Sequence, residues 1–172
     1  MKRNSAKEIA FGGVTAGLAM VIMCFGGMIP VATYVCPLLC MLILFLVLMQ
    51  CGDRIAWAWY GAVAILSVLA GPDKEAAGVF VALGYYPIVK PKLDKLKLSR
   101  VIKLLFFNAV ITVLYLILIY VLGLEELLQE TEEITAWMYA VLLVLGNLVF
   151  ILTDQILGKF RLIYENKHGK KK

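Results

Sequence analysis

The sequence predicts an all-α integral membrane protein, a compact bundle of six transmembrane helices with both termini in the cytoplasm. Hydrophobic residues make up 62% of the 172 residues, and the mean hydropathy is +0.88. Water-soluble domains contain only ~45–50% apolar residues. The apolar residues are grouped in stretches close to the ~20 residues that a transmembrane helix requires. Lys and Arg fall between these stretches rather than along one helix face. We therefore expect a single membrane domain over residues 1–172.

Six apolar stretches, separated by short polar or Pro/Gly breaks, are predicted to span the membrane. The N-terminal basic residues resemble the start of a secretory signal, but the apolar run continues to about Pro30 without a cleavage site. The first stretch is therefore interpreted as a span. The fourth stretch is short and contains Pro87, which removes a backbone donor and predicts a kink or break. The spans lie near residues 8–26, 31–50, 55–71, 75–89, 101–122 and 136–157.

The positions of Lys and Arg decide whether the fourth stretch crosses the membrane. With six spans, the basic N-terminus, Arg54, the basic run 90–103 and the tail 159–172 all lie inside, and only Lys74 lies outside. Without the fourth span, the basic run and the tail would lie outside, against the positive-inside rule. Six spans are therefore predicted, and this arrangement also gives an acidic outer face. Its members are Asp73, Glu75, Glu125, Glu126, Glu130, Glu132 and Glu133.

Several function classes are not supported by any motif. The charge of +5 is explained by membrane orientation, so no nucleic-acid partner is expected. The sequence lacks a G-x-x-x-x-G-K-[ST] loop, an H-E-x-x-H motif and a G-x-S-x-G motif, and its one histidine is His168. Cys36 and Cys40 are one helical turn apart, but no His or carboxylate completes a metal set. We expect no enzyme activity, no catalytic residues, no cofactor and no metal. The four cysteines are interpreted as small buried residues.

The first span carries small residues four apart, at Ala6 and Ala10, at Gly12 and Ala16, and at Gly13 and Gly17. Such faces allow a second helix to approach closely, and they are favoured packing sites in lipid. Two interpretations remain open. The face packs inside the bundle, or it binds a helix of a partner protein.

Polar residues inside the spans are few and therefore informative. Asn108, Thr112 and Tyr115 form one stripe on the fifth span, and Asn147 and Asp154 share a face of the sixth, so these helices are predicted to face each other. Interhelical hydrogen bonds alone would explain the two asparagines. Asp154 is interpreted as an anchor at the membrane interface beside basic residues. The aromatic residues near span ends fit an interfacial belt, and they include Tyr34, Tyr60, Trp57, Trp137 and Tyr139.

Together these features resemble the substrate-binding S components of energy-coupling factor (ECF) transporters, small six-helix proteins with which bacteria capture vitamins and related micronutrients. The resemblance is carried by the small-residue face 6–19, the loop Gly26–Pro30 and the stretch Pro72–Pro87, which is similar to that of uncharacterised members. It implies a protein of the bacterial plasma membrane that binds a small-molecule substrate on its outer side. It also implies separate partners, a transmembrane coupling subunit and two ATPase subunits.

The resemblance implies two functional surfaces. The small-residue face of the first helix would dock the coupling subunit through Ala6, Ala10, Gly13, Ala16 and Gly17. A pocket open to the outside, capped by the loop between the first two spans, would bind the substrate. The candidate pocket residues are Tyr34, Lys74, Glu75, Tyr115, Trp137, Tyr139 and Asn147.

Two other functions remain open. A non-transporting membrane scaffold or assembly partner would use the polar stripes only to hold its helices together. A small secondary transporter would be expected to carry a mid-membrane ionisable group and often paired repeats, and the sequence shows neither clearly. Membrane lipid is a partner under all these interpretations.

Overall fold

The computed structural model describes residues 5–25, 32–95, 99–120 and 136–169. All regular secondary structure in these residues is α-helix, which confirms the predicted all-α class. The chain divides into two compact units, Met1–Lys97 and Leu98–Lys172. The N-terminal unit contains α1 to α5 and the C-terminal unit contains α6 and α7. The helices are α1 Ser5–Cys24, α2 Ala32–Cys51, α3 Asp53–Ala70, α4 Lys74–Leu83, α5 Tyr86–Leu93, α6 Ser99–Tyr120 and α7 Ala136–Gly169.

Four of these helices are long and apolar enough to cross a membrane, judged by length and composition. They are α1 over Ala6–Cys24, α2, α3, and α7 over Leu143–Tyr164, while α6 contributes the shorter apolar segment Val101–Ile117. Large apolar side chains are exposed along them, for example Val14 and Leu69. Such surfaces are unfavourable in water but suit a lipid environment. The helices are therefore consistent with a membrane protein, as predicted.

The predicted fourth span is divided into two short helices, α4 and α5, with a break at Gly84 and Tyr85. A Cβ atom on Gly84 would lie 2.9 Å from the ring of Phe80, which is fully buried. The glycine thus lets that ring pack against the backbone at the break. Pro87 lies in the first turn of α5, where the missing N–H breaks no helical hydrogen bond. One apolar stretch of the sequence is consequently two elements.

The core of the N-terminal unit is built around α2. α1 packs against α2 and α3, and α2 also contacts α4 and α5. Gly52 joins α2 to α3 as a single connecting residue, and its φ of 85° is a conformation that favours glycine. The thiols of Cys40 and Cys51 donate to the carbonyls of Ala19 and Glu8, which fastens α2 to α1.

The cysteine positions agree in part with the prediction of small buried residues. Cys36, Cys40 and Cys51 are buried, whereas Cys24, near the end of α1, is exposed. Three of the four thiols therefore serve as core side chains, and only Cys24 is accessible from outside the protein.

In the C-terminal unit, α6 and α7 run antiparallel, since Lys103, Phe107 and Asn108 contact Asp154, Phe150 and Asn147 respectively. α7 contains 34 residues, so at ~1.5 Å per residue it is ~50 Å long. A membrane core is only ~30 Å thick. The predicted span 136–157 thus covers only part of this helix, and about a third of its residues lie beyond that span.

Candidate functional site

α1 presents an open stripe of small residues on the side opposite its packed face. Ala6, Ala10, Gly13 and Gly17 are exposed, and a Cβ atom added to Gly13 or Gly17 would meet no heavy atom within 4 Å. These four positions follow i, i+4, i+7 and i+11 spacing and lie on one helix face. We call them the α1 stripe. They are four of the five residues predicted to dock a coupling subunit.

The other side of α1 packs inside the unit. A Cβ atom on Gly12 would lie 3.4 Å from Ile55 of α3, and Ala16 packs against the buried core. Thr15 accepts a hydrogen bond of 3.1 Å from the Trp59 indole N–H, which further fixes α1 against α3. Ala16, the fifth predicted docking residue, therefore lies at the edge of the open face rather than within it.

A polar network joins the start of α2 to the start of α4. The hydroxyl of Thr33 donates to Asp73 at 2.7 Å, and that of Tyr34 donates to Glu75 at 2.7 Å. Asp73 is also the N-cap of α4, since its side chain accepts from the backbone N–H of Ala76. Two of the predicted pocket residues, Tyr34 and Glu75, are thus in direct contact.

Lys74, between these two acids in sequence, turns toward α3. Its ammonium donates to the carbonyls of Val68 at 2.7 Å and Gly71 at 3.1 Å, at the C-terminal end of α3. A cation at a helix C-terminus is stabilised by the helix dipole and satisfies carbonyls that lack intrahelical partners. The predicted outer cation thus has a structural contact, with two of its three donors used on the backbone.

In the C-terminal unit, Asn108 and Asn147 form a reciprocal amide pair. Each side-chain N–H₂ donates to the other's carbonyl oxygen, at 2.9 and 3.1 Å. Each also donates to the carbonyl four residues earlier in its own helix, Leu104 and Leu143. The pair confirms that the polar faces of α6 and α7 meet. It also gives the predicted pocket residue Asn147 an interhelical hydrogen-bonding role.

Two further contacts join α6 to α7. The rings of Phe107 and Phe150 stack with centroids 4.5 Å apart. The ammonium of Lys103 lies 3.2 Å from both carboxylate oxygens of Asp154, and its side chain is only 5% exposed. Asp154 was expected to be an interfacial anchor beside basic residues, and its described partner is Lys103 on the facing helix.

Three further predicted pocket residues, Tyr115, Trp137 and Tyr139, belong to α6 and α7. Tyr115 lies on α6, one helical turn beyond Thr112, whose hydroxyl donates to the Asn108 carbonyl. Trp137 and Tyr139 belong to the first turns of α7, but their side chains lie outside the described residues, as does the whole acidic segment 125–133. An open apolar groove of about 330 Å³ lies on another face of α7, and Asn147 is not among its described lining residues. Its described lining residues are Val141, Val144, Leu145 and Leu148.

An aromatic cluster in the N-terminal unit was not predicted as a site. Trp57 and Tyr60 of α3 meet Tyr85 from the break between α4 and α5, with the three ring centroids 5.9–6.5 Å apart. The spacing of Trp57 and Tyr60 in the sequence indicates one helix face. No local pattern, however, could have placed Tyr85 beside them.

Among the described residues, no group of three or more His, Cys, Asp or Glu side chains is arranged to hold a metal ion. Comparison of the chain with protein families, curated proteins and solved structures found no match.

Proposed function

We propose that this chain is the substrate-capture subunit of an ATP-driven ECF-type importer in a bacterial plasma membrane. It would bind a vitamin or similar small micronutrient on its outer side, as a bundle of six membrane spans with cytoplasmic termini. The observation that carries the proposal is the open α1 stripe, because it is the surface that a transmembrane coupling subunit would need. The sequence resemblance supports the same assignment.

Packing within the chain accounts for only part of the small-residue face. Gly12 and Ala16 contact the core of the unit, whereas Gly13 and Gly17 have open space beside them. In lipid no hydrophobic force draws helices together, so close approach over small residues is a main source of helix association. The exposed side chains of Ile9, Val14 and Val21 flank the stripe. Small residues between larger ones form a groove that fits a partner helix.

The energy for import would come from other subunits. The sequence has no P-loop to cradle ATP phosphates, so the chain cannot use ATP in the P-loop manner by itself. Docking to a coupling subunit that carries two ATPases supplies that function. The α1 stripe would be the mechanical connection between captured substrate and ATP hydrolysis.

The polar network between the starts of α2 and α4 would form part of the proposed substrate site on the outer side. Tyr34 and Glu75 are hydrogen-bonded, and Lys74 lies between Asp73 and Glu75 in the first turn of α4. Two of the three Lys74 donors bind α3 carbonyls, and the proposal assigns the third to an anionic or carbonyl group of the substrate. Tyr115, Trp137, Tyr139 and Asn147 stay predicted ligand contacts of the C-terminal unit.

Replacing Gly13 or Gly17 by Trp tests the docking surface. The chain would be co-expressed with the coupling subunit and the ATPase pair of its own genome, purified through the ATPases, and assayed for ATP-dependent uptake. Because the indole would fill the groove, we expect Gly13→Trp and Gly17→Trp to abolish both co-purification and uptake. Helical content and thermal stability should be retained, since both positions are open.

Gly61→Trp is the matched control. Gly61 lies on α3, and a Cβ atom there also meets nothing within 4 Å. The control should co-purify and support uptake as the wild type does. Normal co-purification of both α1 variants would show that the stripe faces lipid, and it would contradict the proposed docking.

The scaffold alternative is favoured by one observation. The Asn108–Asn147 amides bond to each other and to backbone carbonyls, as expected of residues that only join helices. The two proposed functions predict different amounts of small molecule bound to the purified protein. A capture subunit should release a small metabolite when the purified protein is denatured and its supernatant is analysed by mass spectrometry, whereas a scaffold should release none.

A further inference from the structure

The aromatic cluster of Trp57, Tyr60 and Tyr85 has a regular geometry. The Trp57 and Tyr85 rings are nearly parallel, at 17° with centroids 6.5 Å apart. Tyr60 meets both rings edge-on, at 81° and 71°, with its centroid 5.9 Å from each. Its hydroxyl donates to the Val81 carbonyl at 2.6 Å, which fixes the ring. The cluster is therefore an ordered surface of three rings held by α3 and the α4–α5 break.

This cluster is open, unlike the aromatic residues behind it. Phe80, 5.8 Å from Tyr60, is fully buried, and Trp59 is 4% exposed. Trp57 is 47% exposed, although Tyr85 stacks beside it and Tyr60 meets its ring at a right angle. Core packing accounts for Phe80 and Trp59. It does not account for the open part of the Trp57 indole, the aromatic surface that best attracts cations, which no other described residue is shown to cover.

Charges of both signs lie next to the cluster. Asp53, Trp57 and Tyr60 follow i, i+4 and i+7 spacing, so the carboxylate lies on the same face of α3 as the two rings. Arg54 precedes Trp57 by three residues and thus flanks the same face. Both charged side chains are exposed in the first turn of a helix that is apolar enough to cross a membrane. That position is the level of lipid headgroups, whichever way the helix is oriented.

We propose that Trp57, Tyr60, Tyr85, Asp53 and Arg54 form a binding site for the zwitterionic headgroup of an amine-bearing phospholipid. The ammonium would lie against the open indole surface and pair with Asp53, and the phosphate would pair with Arg54. A carboxylate and a guanidinium at adjacent positions of α3 supply one counter-charge each for the ammonium and the phosphate of one ethanolamine headgroup. The site is independent of what the protein transports.

The charges and rings of this site favour an amine-bearing phospholipid over an anionic lipid or a soluble amine. An interfacial aromatic belt needs only rings with an apolar body and a polar edge, and it does not require a carboxylate beside them. An anionic lipid without an amine would meet Arg54 favourably but would be repelled by Asp53 and would gain nothing from the ring surface. A soluble amine would lack the acyl chains that hold a lipid at this depth.

The test uses the full-length purified chain in detergent micelles, titrated with phosphatidylethanolamine or phosphatidylglycerol of the same acyl chains, with bound lipid counted by native mass spectrometry. We expect the ethanolamine lipid to bind more tightly. Trp57→Leu should weaken its binding about tenfold, the order that one partly desolvated cation–π contact supplies. Asp53→Asn, which removes an exposed carboxylate, should weaken it about twofold to fivefold. Trp57→Phe, which retains an aromatic face, should fall between the wild type and Trp57→Leu.

Phe160→Leu is the matched control, because Phe160 is an aromatic residue of α7 with a similar exposure of 49%. It should bind both lipids as the wild type does. Equal affinity for the two lipids, or unchanged ethanolamine-lipid binding in both Trp57→Leu and Asp53→Asn, would overturn the proposal. Tight binding of soluble O-phosphoethanolamine, added in competition, would also overturn it, because the site would then recognise a free metabolite. Asp53→Asn alters an exposed side chain, so if Trp57→Leu fails to fold, unchanged ethanolamine-lipid binding in Asp53→Asn alone overturns the proposal.

Discussion

Single residues show how much of the polar chemistry of this chain holds helices together. Interhelical hydrogen bonds were one interpretation of Asn108 and Asn147, and Asn147 was also a predicted pocket residue. In the structure their amides bond to each other. The sequence could predict that these residues face each other, because helical spacing fixes which side chains share a face. It could not predict that Asp154 pairs with Lys103, since that contact depends on the register of α6 against α7.

The Lys103–Asp154 pair gives a stability prediction. Asp154→Asn leaves the Lys103 ammonium in a site where its side chain is 5% exposed, with no counter-charge from that position. Removing one member of a buried pair costs about 3 kcal/mol or more, so we expect the free energy of unfolding to fall by about that amount. Unfolding in mixed detergent and dodecyl sulfate micelles, followed by circular dichroism, measures it.

The double variant Lys103→Met/Asp154→Leu separates the charge from the packing. It removes both charges and keeps apolar bulk, so its unfolding free energy should lie within about 1 kcal/mol of the wild type. Lys159 is an exposed lysine on α7, the helix of Asp154, so Lys159→Met should change the free energy of unfolding little. If the single Asp154→Asn variant is as stable as the wild type, the Lys103–Asp154 pair does not stabilise the packing of α6 against α7.

At the scale of elements, the break between α4 and α5 is the main departure from the expected spans. Pro87 indicated an interruption of the fourth stretch, but the helix ends earlier, where Phe80 packs over Gly84. The sequence alone reveals the effect of Pro87, because a proline changes the backbone locally. It does not reveal that the helix ends at Gly84, because that end depends on the buried Phe80 ring, which is a tertiary contact. The break also places Tyr85 beside Trp57 and so creates the proposed lipid site.

Gly84→Ala tests this account of the break. The new methyl group would clash with the Phe80 carbonyl and lie 2.9 Å from its ring, so we expect a loss of about 1–3 kcal/mol of unfolding free energy. Gly61→Ala has open space and a helical backbone, and it should instead stabilise by about 0.5–1 kcal/mol. Opposite signs in the same unfolding assay are the expected result. A neutral Gly84→Ala would mean that Phe80 can move away at no cost.

For the whole molecule, composition and charge placement carry most of the predictable information. Apolar content predicted helices able to cross a membrane, because backbone groups in lipid must be bonded within their own segment. Among the described residues, four helices are long and apolar enough to cross a membrane. The small-residue face was predictable as a close-packing surface, but only the contacts of Gly12 and Ala16 separate its packed side from its open side. The choice of substrate depends on individual side-chain contacts, which no periodicity encodes.

The membrane orientation is the last prediction, and the cysteine positions simplify its test. Cys24 is the one exposed thiol among the described residues, and Cys36, Cys40 and Cys51 are buried. Cys24→Ala therefore gives an unreactive background without emptying the core. On it, a cysteine at Glu130 should react with an impermeant thiol reagent added to intact cells. One at Lys95 should react only after permeabilisation, because the positive-inside rule predicts that the basic run 90–103 lies inside. The background variant alone should stay unlabelled. Labelling at Lys95 in intact cells would contradict six spans with cytoplasmic termini and remove most of the family resemblance that depends on them.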